Sequence, residues 1–119
     1  MRDLPLHRWP SSGLFTDLYQ LTMAQAYWQS GKTGEATFSL FFRNHPPDRG
    51  YLVFAGLSDV VDLMESFSFS DEDMAFLRSI DRFNADFLTY LSGIRFNGSV
   101  RAMPEGSLFF ANEPVLEVT

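Results

Sequence analysis

The chain has 119 residues, 45% of them hydrophobic with 13 Phe, a net charge of −6 and no cysteine. That length suits one domain with a real core and is short for two, and the apolar content excludes disorder, which needs low hydrophobicity. The acidic balance, with Lys and Arg scattered, excludes the dense basic surface of a nucleic-acid binder, and the missing cysteines remove disulfides and thiol chemistry.

Residues 1–13 hold two Pro, two Ser and a Gly and are expected to form an arm that Trp9 pins to the body. They lack the unbroken apolar run of a signal peptide. No later segment approaches the ~20 apolar residues of a membrane span, so a cytoplasmic protein is the expectation. Residues 14–119 then read as one domain portion.

Phe15 to Gln29 has a helical period, with Asp17 or Thr16 expected to accept from the free N–H groups of the first turn. Leu18, Leu21, Ala24 and Trp28 form one apolar stripe; Tyr19, Met23 and Ala26 form a second. A face that wide expects cover. Ser30-Gly31 is the natural stop. From Glu35 to Arg43, Ala36, Phe38, Leu40 and Phe42 alternate with Thr37, Ser39, Phe41 and Arg43, the clearest strand pattern in the chain, with Arg43 at its end. Asn44 to Gly50, with Pro46-Pro47, must be a loop.

Tyr51 to Phe54 is ambiguous between strand and helix, and a helix follows from about Ala55-Gly56 to Ser66. Ser70-Asp71-Glu72-Asp73 predicts a capped helix start resembling a capping box, with Met74, Phe76, Leu77 and Ile80 on the apolar side. Asn84 predicts a second cap, for a helix carrying Phe87, Leu88 and Leu91 and ended by Gly93. Ile94–Phe96, Asn97-Gly98 and Val100–Met103 read as a hairpin, since Asn-Gly is a preferred two-residue turn. Leu108–Phe110 and Val115–Val118 read as two more strands. The pattern breaks off within a strand at Thr119, the expected mark of the front part of a longer polypeptide.

Few residues offer chemistry on their own. Asp71, Glu72 and Asp73 are adjacent and point to different sides of a helix, which makes them a charged helix start rather than a carboxylate pair. His7 and His45 lie in loops without ligand spacing, so no metal site is expected; His45 reads as a solvated loop residue. The serines lack a paired base, and Gly50 and Gly56 make no phosphate-binding motif. Arg43 and Arg49 flank one loop, either as an anion site or as solvated side chains, the commoner fate of Arg. Tyr19 either stacks on a planar ligand or is buried, and its own pattern favours burial. Glu105-Gly106 reads as a turn.

The order of segments carries more. Thr16-Asp17-Leu18-Tyr19-Gln20-Leu21-Thr22-Met23, Phe38-Ser39-Leu40-Phe41-Phe42-Arg43 and Arg49-Gly50-Tyr51-Leu52-Val53-Phe54-Ala55-Gly56-Leu57 resemble the start of nicotinate phosphoribosyltransferases. Asp86-Phe87-Leu88-Thr89-Tyr90-Leu91 and Arg101-Ala102-Met103-Pro104-Glu105-Gly106 continue the match in the same order, so that it covers about residues 14–119. The resemblance implies an α+β fold: the α/β sandwich part of a type II phosphoribosyltransferase, helices on a mainly antiparallel sheet, without the irregular barrel. It implies an enzyme joining nicotinate to phosphoribosyl pyrophosphate, giving nicotinate mononucleotide and pyrophosphate, with ATP hydrolysis coupled and Mg2+ as cofactor, at the opening of NAD salvage. It further implies a homodimer whose N-terminal segments line the neighbour's active site.

Residue by residue, Tyr19 matches the tyrosine that stacks on the pyridine ring across the dimer interface. Asp17 matches the acid beside it, and Arg43 the basic residue that contacts phosphate. The histidine phosphorylated by ATP belongs to the missing barrel, and neither His7 nor His45 has its context, so this chain alone is expected to be inactive. The competing readings are a sister transferase for nicotinamide or quinolinate, and a non-catalytic α/β module for binding or dimerisation.

Overall fold

The computed structural model describes residues 13–119. Among these, helices and short strands follow the order α1 (Leu18–Gln29), β1 (Phe38–Leu40), β2 (Leu52–Val53), α2 (Leu57–Glu65), α3 (Asp71–Ser79), α4 (Ala85–Gly93), β3 (Val100–Ala102), β4 (Leu108–Phe109) and β5 (Leu116–Val118). This is the expected mixture of helix and antiparallel sheet, with no closed barrel among the described residues. The expectations for the arm, Trp9 and His7 lie outside the described residues. The chain divides into two compact units, one containing Leu63–Phe96 and the described residues up to Thr33, the other Gly34–Asp62 and Asn97–Thr119.

The first unit is helical, and the starts of α3 and α4 and the stop of α1 are built as the sequence predicts. Ser70 Oγ accepts from the Asp73 amide at 3.1 Å while the Asp73 carboxylate accepts from the Ser70 amide at 2.7 Å, a full capping box for α3. The shorter Asp closes the box in place of the usual Glu. Asn84 Oδ1 accepts from the amides of Asp86 and Phe87 to cap α4, and its own N–H donates to Gln25 Oε1 at 2.7 Å, tying α4 to α1. At the far end of α1, Gly31 takes φ +64° while its N–H and that of Lys32 donate to the carbonyls of Trp28 and Tyr27. That is a Schellman stop, and the left-handed residue it needs is glycine.

The core of this unit gathers Leu21, Phe69, Met74, Leu77, Phe87, Leu88 and Leu91, with Ala24, Trp28, Phe83 and Ile94 packed against it. Phe87 has no exposed surface and lies under the Trp28 ring at a centroid distance of 5.7 Å. So Leu21, Ala24 and Trp28 of the first α1 stripe pack with residues of α3 and α4, while Leu18 at the head of that stripe is 45% exposed, contrary to expectation. Phe76, expected on the apolar side of α3, is instead 55% exposed. It follows Ala75 on the helix face turned from Met74 and Leu77, which occupy the core.

In the second unit β1 pairs with β5 and β5 with β3, all antiparallel, in the order β1-β5-β3; β2 pairs separately with β4. The ambiguous stretch before Phe54 is therefore strand. Register puts Ser39, Glu117 and Arg101 in one row, where Ser39 Oγ donates to Glu117 Oε1 at 3.2 Å and Arg101 faces Glu117 as an opposite charge. Phe38 with Val118 and Val100, and Leu40 with Leu116 and Ala102, share the other face. Leu116 is buried there, but Phe38 is 72% exposed, and Leu40 and Phe42 are exposed too. The alternation is real but its apolar side is only partly covered.

Two expectations are corrected here. Strand pairing reaches only Leu40, so Arg43 begins the following loop rather than ending the strand. The hairpin about Asn97-Gly98 does not form: Ile94 packs against the helical core, and Val100–Ala102 takes β5 as its partner, extended by reciprocal bonds between Ser99 and Thr119 at 2.9 Å. A long-range partner outcompetes the local turn.

Candidate functional site

Asp17 and Tyr19 lie at the start of α1 in the first unit. Asp17 stands at the N-cap position in extended backbone conformation, but its carboxylate accepts no capping hydrogen bond. The expected cap is thereby corrected, and the reason is local. The Gln20 amide, one of the donors a capping side chain would satisfy, is taken by Asp17's own carbonyl oxygen at 3.0 Å. Thr16 does not cap either, because its hydroxyl bonds the side chain of Gln20. Asp17 lines a shallow recess together with Leu14, Phe15, Thr16 and Gln20.

Tyr19 is 58% exposed. Its ring belongs to the second stripe of α1, and Met23 and Tyr27 on the same side are exposed as well. Burial, which the helical pattern alone favoured, is not what this chain provides. The backbone beneath is firm, with the Thr22 hydroxyl donating to the Tyr19 carbonyl at 2.8 Å. An exposed phenol ring on a fixed helix turn can lie flat on a planar, apolar-faced ligand, and a carboxylate two residues earlier can orient a polar edge.

Arg43 is in the second unit, exposed, at the head of the loop that runs to Gly50. Arg49 at the other end is also exposed, its amide donating to the Pro46 carbonyl at 3.2 Å in the turn where Asp48 takes φ +63°. An unburied guanidinium on a tethered loop suits phosphate oxygens, which it can meet with two parallel N–H donors.

Two residues passed over at the sequence level prove structural anchors. His45 is not a solvated loop residue: its Nε2 accepts from the Ala111 amide at 3.0 Å, and its ring meets Phe110 edge-on at 6.4 Å. Glu105 is more than part of a turn. Its two carboxylate oxygens accept from the amides of Gly56 at 2.7 Å and Leu57 at 2.9 Å, the free donors at the start of α2. Gly56 holds φ +98° and Gly106 +82°, and the paired bonds Phe54 N–H to Ser107 O and Gly106 N–H to Phe54 O close the two turns on each other. No local signal marks Glu105, because its partner Gly56 lies 49 positions away.

Among the described residues no three His, Asp or Glu side chains converge as a metal site. No described helix is long and apolar enough to cross a membrane.

Comparison with known proteins places these observations. A family model for the nicotinate phosphoribosyltransferase N-terminal domain matches residues 14–119. A nicotinate phosphoribosyltransferase of Mycobacterium tuberculosis is 50% identical over 105 residues, covering 88% of this chain and 23% of its own length. The Bacillus subtilis enzyme of the same name is 45% identical over 109 residues, covering 91% of this chain and 22% of its own. The crystal structure of human nicotinic acid phosphoribosyltransferase superposes with a TM-score of 0.76 at 40% identity, over 87% of this chain and 21% of that one. The chain thus spans less than a quarter of the length of each of these relatives.

Proposed function

The chain belongs to the nicotinate phosphoribosyltransferase family, and from that we propose that it is the N-terminal part of an enzyme that makes nicotinate mononucleotide and pyrophosphate from nicotinate and phosphoribosyl pyrophosphate, in NAD salvage in the cytoplasm. The observation that carries the reading is the match to the family's N-terminal domain over residues 14–119. In this reading Tyr19 stacks on the pyridine ring of nicotinate, Asp17 orients that ring or the tyrosine, and Arg43 meets phosphate oxygens of phosphoribosyl pyrophosphate. The exposure of all three supports it, since none is consumed in holding the fold. The site is completed by a second subunit in a homodimer, and ATP hydrolysis drives turnover. Mg2+ belongs to the same reading, as an ion that the substrate's phosphates and one or two carboxylates of the whole enzyme would hold.

The direct test assays the longer polypeptide for nicotinate mononucleotide formation with and without ATP. Replacing Tyr19 by Ala should raise KM for nicotinate about three- to tenfold, the worth of one stacked ring, without lowering the melting temperature. Replacing Arg43 by Ala should raise KM for phosphoribosyl pyrophosphate about tenfold or more, the worth of a charge-assisted bond. Mixed dimers of the Tyr19 variant with subunits defective elsewhere in the site should regain activity. Unaltered nicotinate kinetics in Tyr19→Ala, or preferred turnover of nicotinamide or quinolinate, would overturn the assignment of the pyridine site.

A further inference from the structure

Arg43 is bracketed by consecutive amides of a single turn. The Asn112 N–H donates to the carbonyl of Phe42 at 2.7 Å, and the Ala111 N–H donates to His45 Nε2 at 3.0 Å. One bond falls immediately before Arg43 and the other two residues after it. The turn that provides them is itself stapled: the Glu113 carboxylate accepts from the Phe110 amide at 2.8 Å, and Asn112 takes φ +65°. The phenyl ring of Phe110 then closes edge-on against the imidazole.

Because Nε2 is the acceptor, its lone pair is in use and the proton of the neutral ring sits on Nδ1. That Nδ1–H is buried and has no partner among the described residues. A buried donor without an acceptor is a cost that a plain tether would avoid. A Gln at this position could offer an acceptor near where Nε2 lies, but a flexible amide would hold the loop less rigidly than a ring wedged on Phe110.

We propose that His45 is a positioning residue for Arg43: in its Nδ1–H form it clamps the loop onto the 110–113 turn, so that the guanidinium is presented to a phosphate-bearing substrate already ordered. This rests on the reading that Arg43 meets phosphate. Ordering a loop before the ligand arrives removes that entropy from the binding step, so the effect belongs in the affinity for the phosphorylated substrate and not in turnover.

The test uses the full-length enzyme with nicotinate and phosphoribosyl pyrophosphate. His45→Ala should raise KM for phosphoribosyl pyrophosphate about fivefold, the worth of one net hydrogen bond, with kcat and KM for nicotinate little changed. His45→Gln, which keeps an acceptor but loses the ring contact with Phe110, should recover part of the loss. In the double variant with Arg43→Ala, His45→Ala should add nothing further. An equal rise in both Michaelis constants, full additivity with Arg43→Ala, or absence of rescue by Gln overturns the proposal. Nitrogen-15 spectra of the unmutated protein give a readout that needs no variant to fold: His45 should show a protonated Nδ1 and an unprotonated Nε2, and the opposite tautomer refutes the clamp. If Arg43→Ala itself leaves KM for phosphoribosyl pyrophosphate unchanged, the phosphate reading of Arg43 fails. If Arg43→Ala acts and His45→Ala is silent, only the clamp fails.

Discussion

Replacing Glu105 by Ala removes both acceptors from the first amides of α2. Hydrogen bonds to a charged group are worth about 1.5–3 kcal/mol each when water is excluded. Glu105 is exposed, so water takes over part of the duty, and the pair falls to the scale of a helix cap with its dipole contribution, about 1–2 kcal/mol in all. For a chain of this size that lowers the melting temperature by about 5–10 °C. Urea denaturation should show the midpoint moving with the slope unchanged, and hydrogen exchange should quicken at Gly56 and Leu57. Glu105→Gln keeps one acceptor oxygen but turns an NH2 group toward the other amide, so it should recover at most about half of the loss. A midpoint unmoved in Glu105→Ala, or a Gln variant equal to the parent protein, would refute the capping argument.

The core makes two further demands. A Cβ added to Gly13 would come within 2.5 Å of the buried Phe69 ring, whose neighbours leave it little room to turn; Gly13→Ala should cost about 1–3 kcal/mol by overpacking, read by thermal denaturation. Phe87→Ala should cost about 3–5 kcal/mol, whereas Phe76→Ala, at a site 55% exposed, should stay within about 0.5 kcal/mol. Comparable losses at the two Phe positions in urea denaturation would show that the core is misassigned.

The parts of the fold that could be read from sequence are those written within a few residues. Ser70 with Asp73, Asn84 with Asp86 and Phe87, and Ser30-Gly31 each specify a helix boundary through contacts two to five positions apart, and each forms. Misread were the parts decided by distant partners. Asn97-Gly98 has good hairpin chemistry, yet β5 captures Val100–Ala102. Glu105 looks like a turn residue until Gly56 and Leu57 arrive beside it, and His45 looks solvated until Ala111 does. Apolar periodicity named most residues of each face, with Phe76 misplaced on α3, but could not say which faces are covered. Leu21 and Phe38 sit in equally convincing patterns, and one is buried while the other is open.

The same distinction separates polar residues that build the fold from those left over for a ligand. Asp17 and Ser70 carry one sequence signature, a small polar residue before an apolar helix, and nothing local tells them apart. In the folded chain Ser70 spends its hydroxyl on an amide of α3, while Asp17's carbonyl has already taken the amide its carboxylate would need. Glu105, Asn84 and His45 are likewise occupied by backbone N–H groups, and a side chain so engaged can bind a substrate only by releasing a helix start or a loop. The Asp17 carboxylate, the Tyr19 ring and the Arg43 guanidinium carry no such duty, so each can meet a ligand without cost to the fold. Stability should therefore be indifferent to these three and sensitive to the other three, and the Michaelis constants should be the reverse, save for His45, whose replacement should also raise KM for the phosphorylated substrate.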